Sequence, residues 1–403
     1  MIAGMTLRVS VLIVTFNSEA HVVACLEALL PELHDDDEVI VVDNASRDQS
    51  LTLAQRYSSR VQVIASPVNR GFAGGNDLAA EAATGDLLIL LNPDTRIRRG
   101  WRSALVGSFA DESIGVVGCK GLYPDGRVQH AGGRIDRGSA FATHIGEGEV
   151  DAGGYDRIVD VDYVSGFALA TRRTIWQRLG GLCVDFYPAF FEEIDYCYRV
   201  RRHGARIIYQ PSAVVEHDHR SLDGDKHSDA TFVQRQRWLF ALRHFDPITL
   251  RQIAAHDSRL LTSLGVDGVG AGFVGVYTEA RALWGQICIA RCDDPTLGGP
   301  VSDEEQGVIA RDLEALSRQA LRLAAGGTGP AAHSELALRL RALPLPPTVM
   351  PIEGQRLRDR LVRWLVKPYL DPPGAAWNNY LSELHAILED LLEREKIDLR
   401  DRG

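Results

Sequence analysis

Oxygen- and nitrogen-bearing side chains collect in this chain where apolar runs stop. Leu87 to Leu91 ends at once in Asn92, Pro93 and Asp94; Glu38 to Val42 ends in Asp43 and Asn44; Val9 to Phe16 carries Thr15 near its end and is followed by Asn17. Asn92 and Asp94, two residues apart, can turn their oxygens toward one hard cation. The competing reading of the same residues is a turn in which Asn and Pro only reverse the chain. Farther on, Glu192, Glu193 and Asp195 follow the aromatic pairs Phe186-Tyr187 and Phe190-Phe191. Acids at a helix start complement its dipole. Flanking rings would also desolvate a carboxylate and raise its pKa toward that of a general base. His217 and His219, in VVEHDH, read either as metal ligands or as ordinary solvated or hydrogen-bonded imidazoles.

The elements that must position these groups alternate. A strand over Val9 to Phe16 precedes a helix, capped by Ser18, in which Val22, Cys25, Leu26, Leu29 and Leu30 keep a helical spacing. Then come a strand (Glu38 to Val42), a helix (Leu51 to Tyr57), a strand (Val61 to Ile64), a helix opening at Asn69-Arg70-Gly71 and running through Ala83, and the strand Leu87 to Leu91. That order predicts right-handed crossovers and an α/β fold with a parallel sheet between helices. Open α/β sheets bind ligands beyond the carboxyl ends of their strands, so Thr15, Asp43 and Asp94 should converge on one rim. The stretch NRGFAGGN fits neither the dinucleotide fingerprint nor a P-loop, which leaves its backbone amides to approach an anionic or ribose group. Beyond a short strand at Gly115 to Cys119, the Gly-rich segment from His130 to Gly154 reads as loops over a site. Val161 to Thr171 reads as a strand interrupted by Ser165-Gly166, where a ligand could come close. A helix is expected from Phe190 to Gly204, then two strands, one over Arg206 to Tyr209 and one from Val214 leading into His217 and His219.

The chain has 403 residues, a net charge of -10 and six scattered cysteines without paired CxxC spacing. Binding phosphate backbones calls for a concentrated basic surface, so a nucleic-acid partner is not expected. The cysteines read as reduced thiols. No run is long and apolar enough to span a bilayer, and the N-terminal apolar run is alternating and β-branched where a secretory leader would not be. The expectation is a cytoplasmic protein with at most peripheral contact at the inner face of the membrane.

The ordered set VSVLIVTFN, VIVVDNASRD, NRGFAGGN, GDLLILLNPD, SGFALATRR, FFEEIDYCYRVRRHG and VVEHDH resembles the inverting family-2 glycosyltransferases of GT-A fold, especially the bacterial rhamnosyltransferase-like branch. The resemblance spans roughly residues 7 to 222. It implies a Rossmann-like, mostly parallel central sheet flanked by helices, and transfer of a sugar from a nucleotide-sugar donor to a glycan or lipid-linked acceptor. Thr15, Asn17, Asp43, Asn69 and Gly71 would surround the nucleotide. Asn92-Pro93-Asp94 stands at the family's DXD motif, so Asp94 would hold the divalent cation, Mn2+ or Mg2+, with His217 added to its shell. Glu193 falls at the catalytic base, one methylene longer than the usual Asp, with Asp195 the alternative; Glu192 and Gly166 would face acceptor or sugar. Asn92 replaces the first acid of DXD.

After about His244 the strands give way to helix-period segments such as Leu313, Leu316, Ala320 and Leu323. The expected domains are therefore a GT-A domain over 1–244 and an all-helical C-terminal region over 245–403, punctuated at Gly326-Gly327 to Pro330 and Leu343 to Pro351. Its last helix, Ala375 to Lys396, would pack as an appendage or pair with a second subunit in a homo-oligomer. The rivals are a sugar-phosphate nucleotidyltransferase, whose Gly-rich basic signature VTFNSEAH lacks, and a non-catalytic glycan-binding module.

Overall fold

The computed structural model describes residues 7–218, 230–268 and 271–324. His219, the linkers and the helix expected at 375–396 lie outside them. The chain divides into two compact units, residues 1–253 with 291–300 and residues 254–290 with 301–403, where the sequence sets a boundary at 244/245.

The first unit runs β1 (Val9–Thr15), α1 (Val22–Leu29), β2 (Glu38–Asp43), α2 (Ser50–Gln55), β3 (Gln62–Ala65), α3 (Gly71–Ala82), β4 (Leu87–Leu91), β5 (Thr95–Ile97), α4 (Trp101–Ser108), β6 (Ile114–Leu122), β7 (Val128–His130), β8 (Gly133–Ile135), β9 (Ala142–His144), β10 (Val159–Asp160), β11 (Ala168–Arg172), α5 (Arg173–Leu179), α6 (Glu192–Arg202), β12 (Arg206–His217) and α7 (Ala230–His244). Helices α8 (Pro247–Gly268) and α9 (Ala271–Asp293) cross between the units, and α10 (Asp303–Ala324) belongs to the second.

One sheet carries the order β10, β12, β6, β11, β4, β1, β2, β3, with β5 added to β12 and β7 to β6. Strands β1, β2, β3 and β4 are parallel, as their helical crossovers require. The rest is mixed. β11 inserts antiparallel between β4 and β6, because the chain reaches it from the rim at Ser165-Gly166 and runs back down the sheet. The sheet is thus mostly parallel only in its first half. All five residues of β4 are at most 2% exposed, as expected of a strand covered on both faces.

Two other segments differ from expectation. Residues 130–144 hold β8 and β9, a two-stranded antiparallel pair whose three-residue strands are too short to show a period. The two strands expected over residues 206–219 are one, β12, interrupted by a register shift between Gln210 and Val214. Pro211 breaks the apolar pattern there, and the irregularity absorbs it. Past it, β12 pairs with β5 in the register His217 to Thr95.

In the second unit α10 buries Ile309, Leu313, Leu316 and Ala320 along one stripe, while Tyr277 donates a 3.1 Å hydrogen bond to buried Asp257. Among the described residues no helix is long and apolar enough to cross a membrane.

The rim depends on close packing of α3 on β1. A Cβ at Gly75 would lie 2.6 Å from a Val14 methyl. Gly75→Ala is therefore expected to lower stability by about 1–3 kcal/mol through overpacking. Denaturant unfolding checks it, and an unchanged midpoint would show that α3 has room to move.

Candidate active site

The β5–β12 pairing decides where two of the candidate residues meet. Asp94 precedes β5 and His217 ends β12, and the Asp218 amide donates to the Asp94 carbonyl at 3.0 Å. This places His217 Nε2 3.3 Å from Asp94 Oδ1, with both side chains under one-tenth exposed. The other ring nitrogen, Nδ1, lies 2.9 Å from Gln129 Oε1. Phe167 stacks on the imidazole at 4.8 Å and 26°. Two ligands each ~2.1 Å from one ion at right angles stand ~3 Å apart, so the spacing fits adjacent ligands of a single cation. Carboxylate and imidazole are a borderline-to-hard donor pair that suits such an ion. Among the described residues no third His, Cys, Asp or Glu joins them to make a cluster of three.

The acids at 192–195 occupy a different kind of place. Helix α6 starts at Glu192 rather than at Phe190, because Phe190 and Phe191 both sit at left-handed φ, 75° and 71°. Non-glycine residues in that region store of order 1–3 kcal/mol each, and such strain persists only where surroundings impose it. Here α7 imposes it: the Gln236 amide donates to the carbonyls of Phe186 (2.6 Å) and Ala189 (2.8 Å), fixing the approach to the helix. Burial raises the Glu193 carboxyl to about 7, against hydrogen bonds from backbone amides at the helix start and from the Gly166 amide that hold it down. Glu192 is 3% exposed, its Oε2 has no partner, and burial together with the Glu193 charge raises it well above the usual carboxylate range.

Asp195 is the opposite case. It is fully buried, and it accepts hydrogen bonds from Arg199 Nε (2.7 Å), Arg243 Nε (2.8 Å) and His244 Nε2 (2.8 Å). Burial alone would raise its pKa, but the Arg199 and Arg243 charges and the His244 bond outweigh it and hold the carboxyl well below its usual range. A carboxylate so held is a poor proton acceptor. It ties α6 to α7 instead.

The tripeptide Ser165-Gly166-Phe167 joins the cation pair to the acids. Phe167 accepts the Asn92 amide at 2.8 Å and stacks on His217, while a Cβ on Gly166 would meet the Phe72 ring at 3.1 Å and Glu193 Cβ at 3.7 Å. The Ser165 amide in turn donates to His130 Nε2 at 3.2 Å. His217, paired with Asp94, and Glu193 thus both pack against one short segment.

The remaining candidates line the same rim. Thr15 pairs with Asp43 across β1 and β2, and its hydroxyl donates to Asp43 Oδ1 at 3.2 Å; Asp43 Oδ2 also accepts the Ser46 amide. Both residues are buried, whereas Asn17 is exposed and Asn69 half-buried. Asn44, absent from the candidates, organises the turn: it donates to Asn69 Oδ1 and the Gly71 carbonyl and accepts the Arg70 amide, all within 3.0 Å. Gly71 has φ +70 and its missing side chain admits the Pro188 carbonyl, 2.8 Å from where a Cβ would be. The polar residue after Asp43 was the only available signal for Asn44; Gln129 and Gln236 carried none, since nothing in their local sequence marks a buried amide.

Residues 10–160 match the family model Glycosyl transferase family 2. A pre-mycofactocin glycosyltransferase of Mycobacterium tuberculosis is 27% identical over 264 residues, 64% of this chain and 53% of that protein. Across curated relatives the chain spans 25% of one and 53% of another. Among solved structures, S. aureus TarS 1-349 in complex with UDP superposes with a TM-score of 0.50 at 16% identity, covering 86% of this chain and 95% of that one. GalNAc-T7 with UDP, GalNAc and Mn2+ also gives 0.50, at 17% identity over 60% of this chain and 49% of that one. The fold is GT-A. The glycosyltransferase match takes in Thr15, Asp43 and Asp94 but ends before Gly166, Glu193 and His217, so the second half of the rim rests on geometry.

Breaking the Asp195 cluster leaves buried cations without their counter-charge. Asp195→Asn is expected to cost about 3–5 kcal/mol of stability. Because the folded-state pKa is depressed, the contribution is full above pH ~4 and fades only as pH falls further. Chemical denaturation at pH 7 tests this; a cost under about 1 kcal/mol would contradict it.

Proposed function

We propose that the chain is a metal-assisted, inverting glycosyltransferase that moves a sugar from a nucleotide-sugar donor to a glycan or lipid-linked acceptor. The reading draws on the family match, the glycosyltransferase relatives and the GT-A fold. One observation carries it: in a single segment, Gly166-Phe167, Phe167 stacks on the ring of His217, which pairs with Asp94, and the Gly166 amide hydrogen-bonds the Glu193 carboxyl.

In this reading Thr15, Asn17, Asp43, Asn69 and Gly71 hold the nucleoside, with Asn92 and Asp94 at the diphosphate. Asp94 and His217 bind Mn2+ or Mg2+, which when present offsets the charge gathering on the departing nucleoside diphosphate. Glu193 is the base. With its pKa raised to about 7, it is a stronger proton acceptor than an ordinary carboxylate and takes the acceptor hydroxyl's proton as that oxygen bonds to the anomeric carbon. Attack from the Glu193 side, with the diphosphate leaving toward Asp94, inverts the anomeric centre. Glu192, buried with its Oε2 unpartnered, and Gly166, without a side chain, shape the space for acceptor and sugar. Asp195 acts through α6 as a positioning residue. The sequence resemblance makes deoxyhexose donors of the rhamnosyl kind the first to try.

A thermal-shift panel of nucleotide-sugars with and without Mn2+ is expected to single out one donor with metal-dependent stabilisation; no response across a broad panel would favour a binding module. Glu193→Gln is expected to lower kcat by about 100- to 10,000-fold. Wild-type kcat/KM should rise with pH through about 7 on its acid limb, as the base loses its proton, and the variant should lose that limb. A raised carboxyl pKa also means that ionisation opposes folding above the unfolded-state value, so Glu193→Gln should melt higher than wild type at pH 8 and not at pH 4.5. Near wild-type turnover in the variant would move the base elsewhere.

A further inference from the structure

Gln129 sits on β7, 2% exposed, and both of its oxygens face imidazoles. Its side-chain Oε1 lies 2.9 Å from His217 Nδ1, and its backbone carbonyl lies 3.2 Å from His144 Nδ1. A carbonyl-type oxygen can only accept, so the proton of the His217 ring is required on Nδ1. In the neutral ring that could ligate a cation, the lone pair is then on Nε2, the nitrogen beside Asp94. Phe167, stacked on the ring, blocks rotation about the bond that would exchange the two nitrogens. Leu or Met at this position would fill the space but leave the buried Nδ1–H without an acceptor; the amide oxygen both satisfies it and holds the ring in one tautomer.

We propose that Gln129 is a positioning residue that fixes the His217 ring with its Nε2 lone pair presented, next to the Asp94 carboxylate, to a divalent cation. The inference rests on the reading of Asp94 and His217 as cation ligands. Partners of this kind raise ligand basicity and remove the cost of selecting a tautomer, and their loss weakens metal binding by about 10- to 100-fold in comparable sites. Nothing in the family match singles out position 129. The assignment comes from the pairing of β7 with β6, which sets Gln129 behind the end of β12.

The test is Mn2+ titration of the full chain followed by the EPR signal of free Mn2+, with a nucleoside diphosphate present, in parallel with circular dichroism and thermal melting. Wild type should bind Mn2+ and His217→Ala should lose it. Gln129→Met, close in volume but without an acceptor, should bind about 10- to 100-fold more weakly at an unchanged fold. Gln129→Glu, which still accepts from Nδ1 and does so more strongly, should bind as tightly as wild type or more so. If wild type binds and the Met variant binds equally well, Gln129 has no such role. If the Met variant fails to fold, the Glu variant decides: weakened binding there overturns the proposal. Absence of Mn2+ binding in wild type itself, with donor binding intact, would overturn the ligand reading of Asp94 and His217 and the role of Gln129 with it.

Discussion

A peptide without a side chain, Gly166, and a ring next to it, Phe167, set the width of the candidate cleft. Gly166 leaves room for Phe72 and for the start of α6, and Phe167 lies flat on His217. A Cβ at 166 would press on the Phe72 ring at 3.1 Å, while Glu193 Cβ at 3.7 Å would be in ordinary contact. His217, paired with Asp94, and the Glu193 carboxyl are thus both tied to one short turn. Catalysis by positioning needs that kind of stiffness, since small displacements of reacting groups cost rate steeply.

The same logic explains why so much of α7 is polar and buried. Arg243 and His244 grip Asp195, and Gln236 grips the carbonyls of Phe186 and Ala189. Together they hold two consecutive phenylalanines in a left-handed backbone and set two adjacent acids, Glu192 and Glu193, where water is scarce. Both the strain and the desolvation oppose folding. A raised carboxyl pKa is what a base working near neutral pH requires.

The parallel half of the sheet was legible from the sequence because β1, β2 and β4 are buried apolar runs that end near Asp or Asn, and helices separate β1, β2, β3 and β4. The rim residues Thr15, Asp43 and Asp94 could be placed for the same reason. Reversal of β11 was not legible: its residues are as apolar as those of a parallel strand, and direction is set by where Ser165-Gly166 leaves the rim. Continuity of β12 was hidden by Pro211, and β8 and β9 by their three-residue length. Acid clustering at 192–195 was visible, but the rise of Glu193 comes from burial, and the depression of Asp195 comes first from Arg199 one helical turn on and then from Arg243 and His244, about fifty residues farther along the chain.

The central claim is that Asp94 and His217 hold a cation on one side of Gly166-Phe167 while Glu193 faces it from the other. Anomalous difference density from crystals grown with Mn2+ and a nucleoside diphosphate tests it most directly. The account predicts one peak ~2.2 Å from both Asp94 and His217 Nε2, with the Glu193 carboxyl open to the space between. A peak at other residues, or Glu193 turned behind Gly166 and out of that space, would contradict it.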